Sequence, residues 1–207
     1  MSATSESAAI VSGGAVNAAS IGTSGVIALP SAAEATNVAV VMATIAVVGV
    51  GANLGERAAS LRAAIDRVVS LPGVVQSRVS PFYETAPVGG PPQGDFLNAA
   101  VRLEIEPPRS ARALVSALLA IEHEMGRVRA ERFGPRTIDL DLLWMEGAAS
   151  MHPDAIVPHP RLHERAFALA PLVDVAPEAK APDGTPYAEL LERLDRSGIR
   201  RMVPEET

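Results

Sequence analysis

The chain has 207 residues, 48% hydrophobic but only 3% aromatic, with a formal net charge of −6 and a pI near 5.3. That length suits one domain with something left over, and the apolar content is ample for a core. The acidic balance argues against a general nucleic-acid binder, which needs a broad basic surface. With no cysteine there are no disulfides, thiolate metal sites or thiol nucleophiles.

Residues 1–41 are rich in Ala, Ser, Gly and Val, and Glu6 and Glu34 are their only charged side chains. No positively charged segment precedes an apolar run, so a secretory signal is not indicated. The apolar stretch Val38–Val50 is shorter than the roughly 20 residues a spanning helix needs, and it is rich in β-branched residues. A disordered tail over 1–41, leading into a folded domain over 42–207, is the expectation.

From Met42 onward the pattern is that of a folded domain. "TIAVVGVG" reads as a buried strand and "ANLGER" as a turn into a helix, on which Leu61, Ile65 and Val68 recur at helical spacing until "LPGV" ends it. "VVQSRVSPFYETAPV" reads as an interrupted extended segment, and "GGPPQGD" as a loop. "FLNAAVRLEIE" reads as a strand. Ser110 is placed to cap the next helix, whose Leu114, Leu118, Ile121 and Met125 share a face. An Arg-rich loop and the strand "TIDLDLLWM" follow. Beyond a Pro/His-rich connection, "RLHERAFALAPLVDVAPE" and "YAELLERLDRSG" read as helical. The order β-α-β-β-α-β with a C-terminal helical addition predicts a ferredoxin-like α+β sandwich: helices on one face of an antiparallel sheet, the other face free for a ligand.

The stretch "RVRAERFGPRTIDLDLLW" concentrates the chemistry. Alternation along a strand puts Ile138, Leu140 and Leu142 on the helix side, and Asp139, Asp141 and Leu143 on the other. Two carboxylates that close repel, raising one pKa unless a cation sits between them. A hard divalent cation such as Mg²⁺ takes oxygen ligands and shares phosphate oxygens with its substrate. Arg127, Arg129, Arg132 and Arg136 precede the pair, and arginine forks match phosphate oxygens. A D-x-D pair alone is more often an exposed strand face, and four loop arginines alone are more often a solvated one. Together they point to phosphoryl chemistry by positioning and charge neutralisation. Lys180 is the only lysine and no G-x-x-x-x-G-K-[ST] occurs, so nucleotide phosphates would be held without a P-loop.

"GRVRAERFGPRTIDLDLL" resembles the signature of the 6-hydroxymethyl-7,8-dihydropterin pyrophosphokinases of folate synthesis. "GANLGER", "SPFYETAPVG", "DFLNAAV" and "VPHPRLHERAFALAPLVDVAPE" resemble further family segments in the same order, over about residues 44–195. The resemblance implies magnesium-dependent transfer of pyrophosphate from ATP to the pterin hydroxymethyl oxygen, leaving AMP, with no dedicated protein base. It implies that Asp139 and Asp141 hold two Mg²⁺ ions. Arg127 and Arg136 would lie near the phosphates, Arg136 stabilising developing charge. Arg129 and Arg132 would belong to a mobile loop that closes over ATP, and His159 and Arg165 would lie near the nucleotide. For the pterin, Phe96 and Phe167 match the aromatic sandwich, Asn98 the hydrogen-bonding amide, and Thr85 and Val88 positions offering backbone groups. Without the resemblance, Phe96 and Phe167 would read as ordinary core.

Three positions depart from the family pattern: Phe96 stands where tyrosine is frequent, Phe133 where tryptophan is common, and Ala86 where a bulkier residue is frequent. His123 and His163 have no matching motif and read as solvated helix residues, and His152 is given no role. The implied protein is a cytoplasmic monomer acting on small molecules, without nucleic-acid or membrane partners. The rival readings are a D-x-D transferase or phosphohydrolase acting on another nucleotide, and a non-catalytic ferredoxin-like binding module. An RNA-binding module would stack bases on sheet-face aromatics amid basic charge, which an acidic, aromatic-poor chain does not favour.

Overall fold

The structure, a computed structural model, describes residues 43–127 and 134–202. The tail expected over 1–41, and Arg129, Arg132 and Phe133, lie outside the described residues. The order predicted from the sequence is present: β1 (Thr44–Ala52), α1 (Arg57–Val69), β2 (Val74–Val79), β3 (Tyr83–Thr85), β4 (Phe96–Ile105), α2 (Ala111–Glu124) and β5 (Asp139–Met145). The interrupted segment is two strands, β2 and β3, each antiparallel to β4. At the break Pro81 has no N–H to offer. Ser80 bridges it, donating its N–H to Ala100 O and accepting the Ala100 N–H on Oγ, both at 2.9 Å.

The main sheet runs β5-β1-β4-β3, with β2 also on β4 and every pairing antiparallel. This is the ferredoxin-like arrangement. One face packs on α1 and α2. Leu61, Ala64 and Val68 from α1, with Leu114 and Leu118 from α2, meet Val48, Leu103, Ile138, Leu140 and Leu142 in a dry core. Ser110 caps α2 by accepting the Ala113 N–H, so the predicted helix start is correct.

The sheet's other face is not free, contrary to the expectation. After β5 come a hairpin, β6 (Ser150–His152) and β7 (Ala155–Val157), then a 3₁₀ turn at Leu162–Glu164. α3 (Ala166–Val175) follows, and its Leu169 and Leu172 pack in a second core with Val47, Ala100, Leu143 and Trp144. A register shift opposite Val47 and Val48 puts both Leu143 and Trp144 in this second core and returns Met145 to the first. Nine of the ten residues of α3 are apolar, with Asp174 its one charged side chain, so its apolar surface has to be buried. The ligand therefore has only the end of this face, beyond the helix.

The last elements also differ from expectation. The predicted terminal helix is short, α4 (Tyr187–Glu192). The chain then forms β8 (Ile199–Arg201), which extends the sheet by pairing with β3. No apolar alternation announces β8; its Arg200 pairs with Glu84, which also binds Arg57 at 2.8 Å.

Because Leu169 is fully buried in the second core, Leu169→Ala should cost about 2–5 kcal/mol. Urea unfolding checks this; a loss under about 1 kcal/mol would mean that α3 is only loosely seated.

Candidate active site

The site's geometry comes from the register of three strands. Gly51 in β1 lies between Asn98 of β4 and Asp139 of β5, and Gly49 lies between Ala100 and Asp141. A Cβ at Gly51 would stand 2.7 Å from Asn98 Oδ1, so Asn98 holds its place only because residue 51 is glycine. The glycine clears a floor about two strand spacings wide, roughly 10 Å, between the amide and the carboxylates. A cavity of about 530 Å³ stands on this floor, with Asn98, Asp139 and Asp141 among its lining residues.

Arg136 also faces the cavity at the acidic end. Arg127 donates to Asp139 at 2.7 Å and pairs with Glu122, while Arg136 binds the other oxygen of Asp139. Glu122, which the sequence reading did not single out, is buried in α2 and also accepts the Leu140 N–H at 2.7 Å. Burial raises its pKa, opposed by the Leu140 N–H and by Arg127. Burial, and after it the charge of Asp139, pushes the Asp141 carboxyl from its ordinary 3.8 up to about 6. The charges of Arg165 and Arg136 pull it back only in part. Two carboxylates on one strand face fit a hard divalent cation. Among the described residues no cluster of three or more His, Cys, Asp or Glu could hold a metal, so bound phosphate and water would have to complete the coordination.

Arg165, just ahead of α3, reaches the cavity and lies 5.8 Å from the centroid of the Phe167 ring. His159 does not line the cavity; it lies behind Arg165, with Nε2 3.4 Å from that guanidinium. Burial, then the charge of Arg165, lowers the His159 pKa to about 4, leaving the ring neutral at ordinary pH. His123, His152 and His163 do not line the cavity, although His163 Nε2 lies 3.4 Å from the lining residue Glu164.

The opposite end is less charged. Phe96 and Phe167 both line the cavity and are only partly buried, while Phe167 also packs against the second core. The buried Asn98 donates to Thr85 Oγ1 at 2.8 Å, and Val88 stands 71% exposed on the rim. Ala86 donates its N–H to Gly198 O at 3.2 Å. The segment Leu194–Ile199 thus closes a side of the cavity that the sequence reading had not located.

Asn53, quoted in "GANLGER" but given no role from sequence, joins the two ends. Its Oδ1 accepts the Arg136 N–H at 2.7 Å, and its Nδ2 donates to Gln93 and Gly94 in the loop before Phe96.

An acidic pair beside arginines, in one cavity with two aromatic rings and a buried amide, has the chemistry to suit a polyphosphate and a flat polar molecule. The comparisons make the class specific. Residues 47–177 match the model of the 7,8-dihydro-6-hydroxymethylpterin-pyrophosphokinase (HPPK) family, and the chain belongs to that family. It is 40% identical to the 2-amino-4-hydroxy-6-hydroxymethyldihydropteridine pyrophosphokinase of Methylorubrum extorquens over 159 residues, 77% of this chain and 99% of that one. The Pseudomonas aeruginosa protein of the same name is also 40% identical, over 75% of this chain and 94% of its own. The Arabidopsis thaliana mitochondrial folate synthesis bifunctional protein is 43% identical over 62% of this chain, a region equal to 23% of that protein. Among solved structures, Plasmodium falciparum HPPK-DHPS with pteroate matches with TM-score 0.56 at 14% identity, over 75% of this chain and 41% of that one. This chain spans less than half of that structure's length, and the likeness supports the fold alone.

The raised carboxyl gives a pH signature. With its folded pKa above the unfolded value, Asp141 contributes stability below 3.8 that is lost as pH rises through about 6. In metal-free protein, Asp141→Asn should therefore raise the melting temperature at neutral pH, and the gain should fade as pH falls below 4. A melt series in chelator checks this; a loss of stability at neutral pH would contradict the account of the pair.

Proposed function

We propose that this chain transfers pyrophosphate from ATP to the hydroxymethyl oxygen of 6-hydroxymethyl-7,8-dihydropterin, leaving AMP, with magnesium held at Asp139 and Asp141. The family and its named relatives support the enzyme class. The observation that carries the reading at the level of residues is the single cavity whose lining includes Asp139, Asp141, Arg136, Asn98, Phe96 and Phe167.

In this reading the pterin lies between Phe96 and Phe167, with Asn98 at its polar edge. Thr85 and Val88 offer backbone groups beside it. The Asn98–Thr85 hydrogen bond fixes which way the amide points, and the glycine floor lets the ring approach the acidic end. The hydroxymethyl oxygen attacks the β-phosphorus and loses its proton. One O–P bond forms, the bond from the β-phosphorus to the oxygen bridging the α-phosphate breaks, and AMP departs. When bound, magnesium supplies charge neutralisation of the triphosphate and acidifies the hydroxyl.

Arg127 and Arg136 hold Asp139 in the structure and would turn toward phosphate oxygens when ATP arrives. Arg136 then faces charge that grows during transfer, where a fixed donor lowers the barrier most. Arg165 approaches the nucleotide from the α3 side, and the neutral His159 supports it without adding a second buried cation. Arg129 and Arg132 fall in the loop that would close over ATP and exclude water. Cytoplasmic, monomeric operation belongs to the same proposal; no described helix is long and apolar enough to cross a membrane.

The test is product analysis with ATP, Mg²⁺ and the pterin alcohol. The reading predicts AMP and a pterin diphosphate in equal amounts, and ADP would overturn it. Asp139→Ala and Asp141→Ala should each remove most turnover while leaving the fold intact. Phe96→Ala and Phe167→Ala should each weaken pterin binding by roughly 1–3 kcal/mol, the worth of stacking for a ring of this kind, with ATP binding little changed. Near-normal turnover in either aspartate variant would remove the metal assignment.

A further inference from the structure

We infer that Asn53 is a positioning residue acting on both ends of the site: it fixes the backbone of Arg136 and, independently, the loop that carries Phe96. The inference rests on the pyrophosphokinase reading for its kinetic consequences, but its structural basis does not.

Both polar groups of the Arg136 peptide unit are committed to one short stretch. The Arg136 N–H donates to Asn53 Oδ1 at 2.7 Å, while Arg136 O accepts the N–H groups of Asn53 and Leu54 at 3.0 and 3.2 Å. Arg136 stands between the arginine loop and β5, where backbone freedom would otherwise swing its guanidinium away from Asp139. The same side chain uses its amide nitrogen elsewhere. Nδ2 donates to Gln93 Oε1 at 2.8 Å and Gly94 O at 3.2 Å, two residues ahead of Phe96. Asn53 is only 8% exposed, so these bonds form away from competing water.

No other side chain of this size does the same. The task needs an acceptor and two donors on one planar group, which an amide offers and a carboxylate does not. Asn53 also sits one residue past the last residue of β1, two beyond Gly51, so the strand that clears the cavity floor delivers the clamp. The two arms can be separated. Asn53→Asp keeps an acceptor for the Arg136 N–H and loses both donors to the Gln93–Gly94 loop, whereas Asn53→Ala loses both arms.

The experiment compares these variants of the full chain, each alone and with Arg136→Ala. Asn53→Ala should lower kcat at saturating substrates by about tenfold or more, the scale of a misplaced catalytic group. In the Arg136→Ala background the same change should cost less than about twofold, because the group it positions is gone. Asn53→Asp should raise the pterin Kd about tenfold and leave kcat within about twofold. Equal costs of Asn53→Ala in both backgrounds would overturn the inference, as a general loss of structure would look this way. So would an Asp variant whose kcat falls as far as the Ala variant's. If Asn53→Ala does not fold, Asn53→Asp decides alone: a raised pterin Kd with kcat within about twofold supports the inference, and a loss of kcat of about tenfold overturns it. Hydrogen exchange at the Arg136 amide needs no turnover: protection should persist in Asn53→Asp and drop at least tenfold in Asn53→Ala, and unchanged protection in Asn53→Ala would also overturn the inference. An unsubstituted chain that makes no AMP would sink the pyrophosphokinase reading alone, leaving the exchange result to judge Asn53.

Discussion

Two carboxylates of the same charge, two residues apart on one face of β5, are the constraint around which the molecule is arranged. Asp139 and Asp141 cannot both stay ionised in a partly buried cavity without positive charge beside them. Arg127 and Arg136 provide it for Asp139, and Glu122 in turn balances Arg127 from inside α2. Burial, and then the charge of Asp139, raises the Asp141 pKa, with the charges of Arg165 and Arg136 opposing. A site balanced in this way is prepared to exchange partners. In the proposed reading a divalent cation takes the carboxylates, which frees the arginines for phosphate oxygens.

The sheet supplies the distances. Because strand neighbours are fixed by hydrogen bonding, Asn98, Gly51 and Asp139 must lie in one row and Ala100, Gly49 and Asp141 in the next. A Cβ at Gly51 would collide with Asn98 at the cavity floor, and one at Gly49 would press on the Leu143 side chain at 3.1 Å. α3 then covers the rest of this face and stops where Arg165 and Phe167 reach the cavity. The second core therefore does two things: it stabilises the sandwich, and it confines the ligand to one end of the sheet.

Much of this was legible in the sequence, and the reasons are local. The alternation Ile138, Asp139, Leu140, Asp141, Leu142 is a statement about faces that needs no tertiary information, and the faces are as read. Helical spacing of Leu61, Ile65 and Val68, and Ser110 ahead of an apolar stripe, are equally local. What escaped depends on partners distant in sequence. Glu122 was not singled out from sequence, and only its pairing with Arg127 and Leu140 makes it part of the site. Asn53 reads as a turn residue until the chain brings Arg136 and Gly94 to it. β8 has two arginines and no alternation, so it becomes a strand through β3 and not through its own propensity. The covered sheet face was missed because α3 was read as an addition beside the sandwich, although its almost wholly apolar sequence was the signal that it must pack on something.

The central claim is that the Asp139–Asp141 pair holds the metal and that the arginines leave it for phosphate. The most direct test is anomalous diffraction from crystals grown with Mn²⁺ and a non-hydrolysable ATP analogue. The account predicts anomalous peaks within bonding distance of both carboxylates, with the Arg127 and Arg136 guanidiniums turned from Asp139 to phosphate oxygens. Metal bound elsewhere, or arginines still paired with Asp139 beside an occupied nucleotide site, would contradict it.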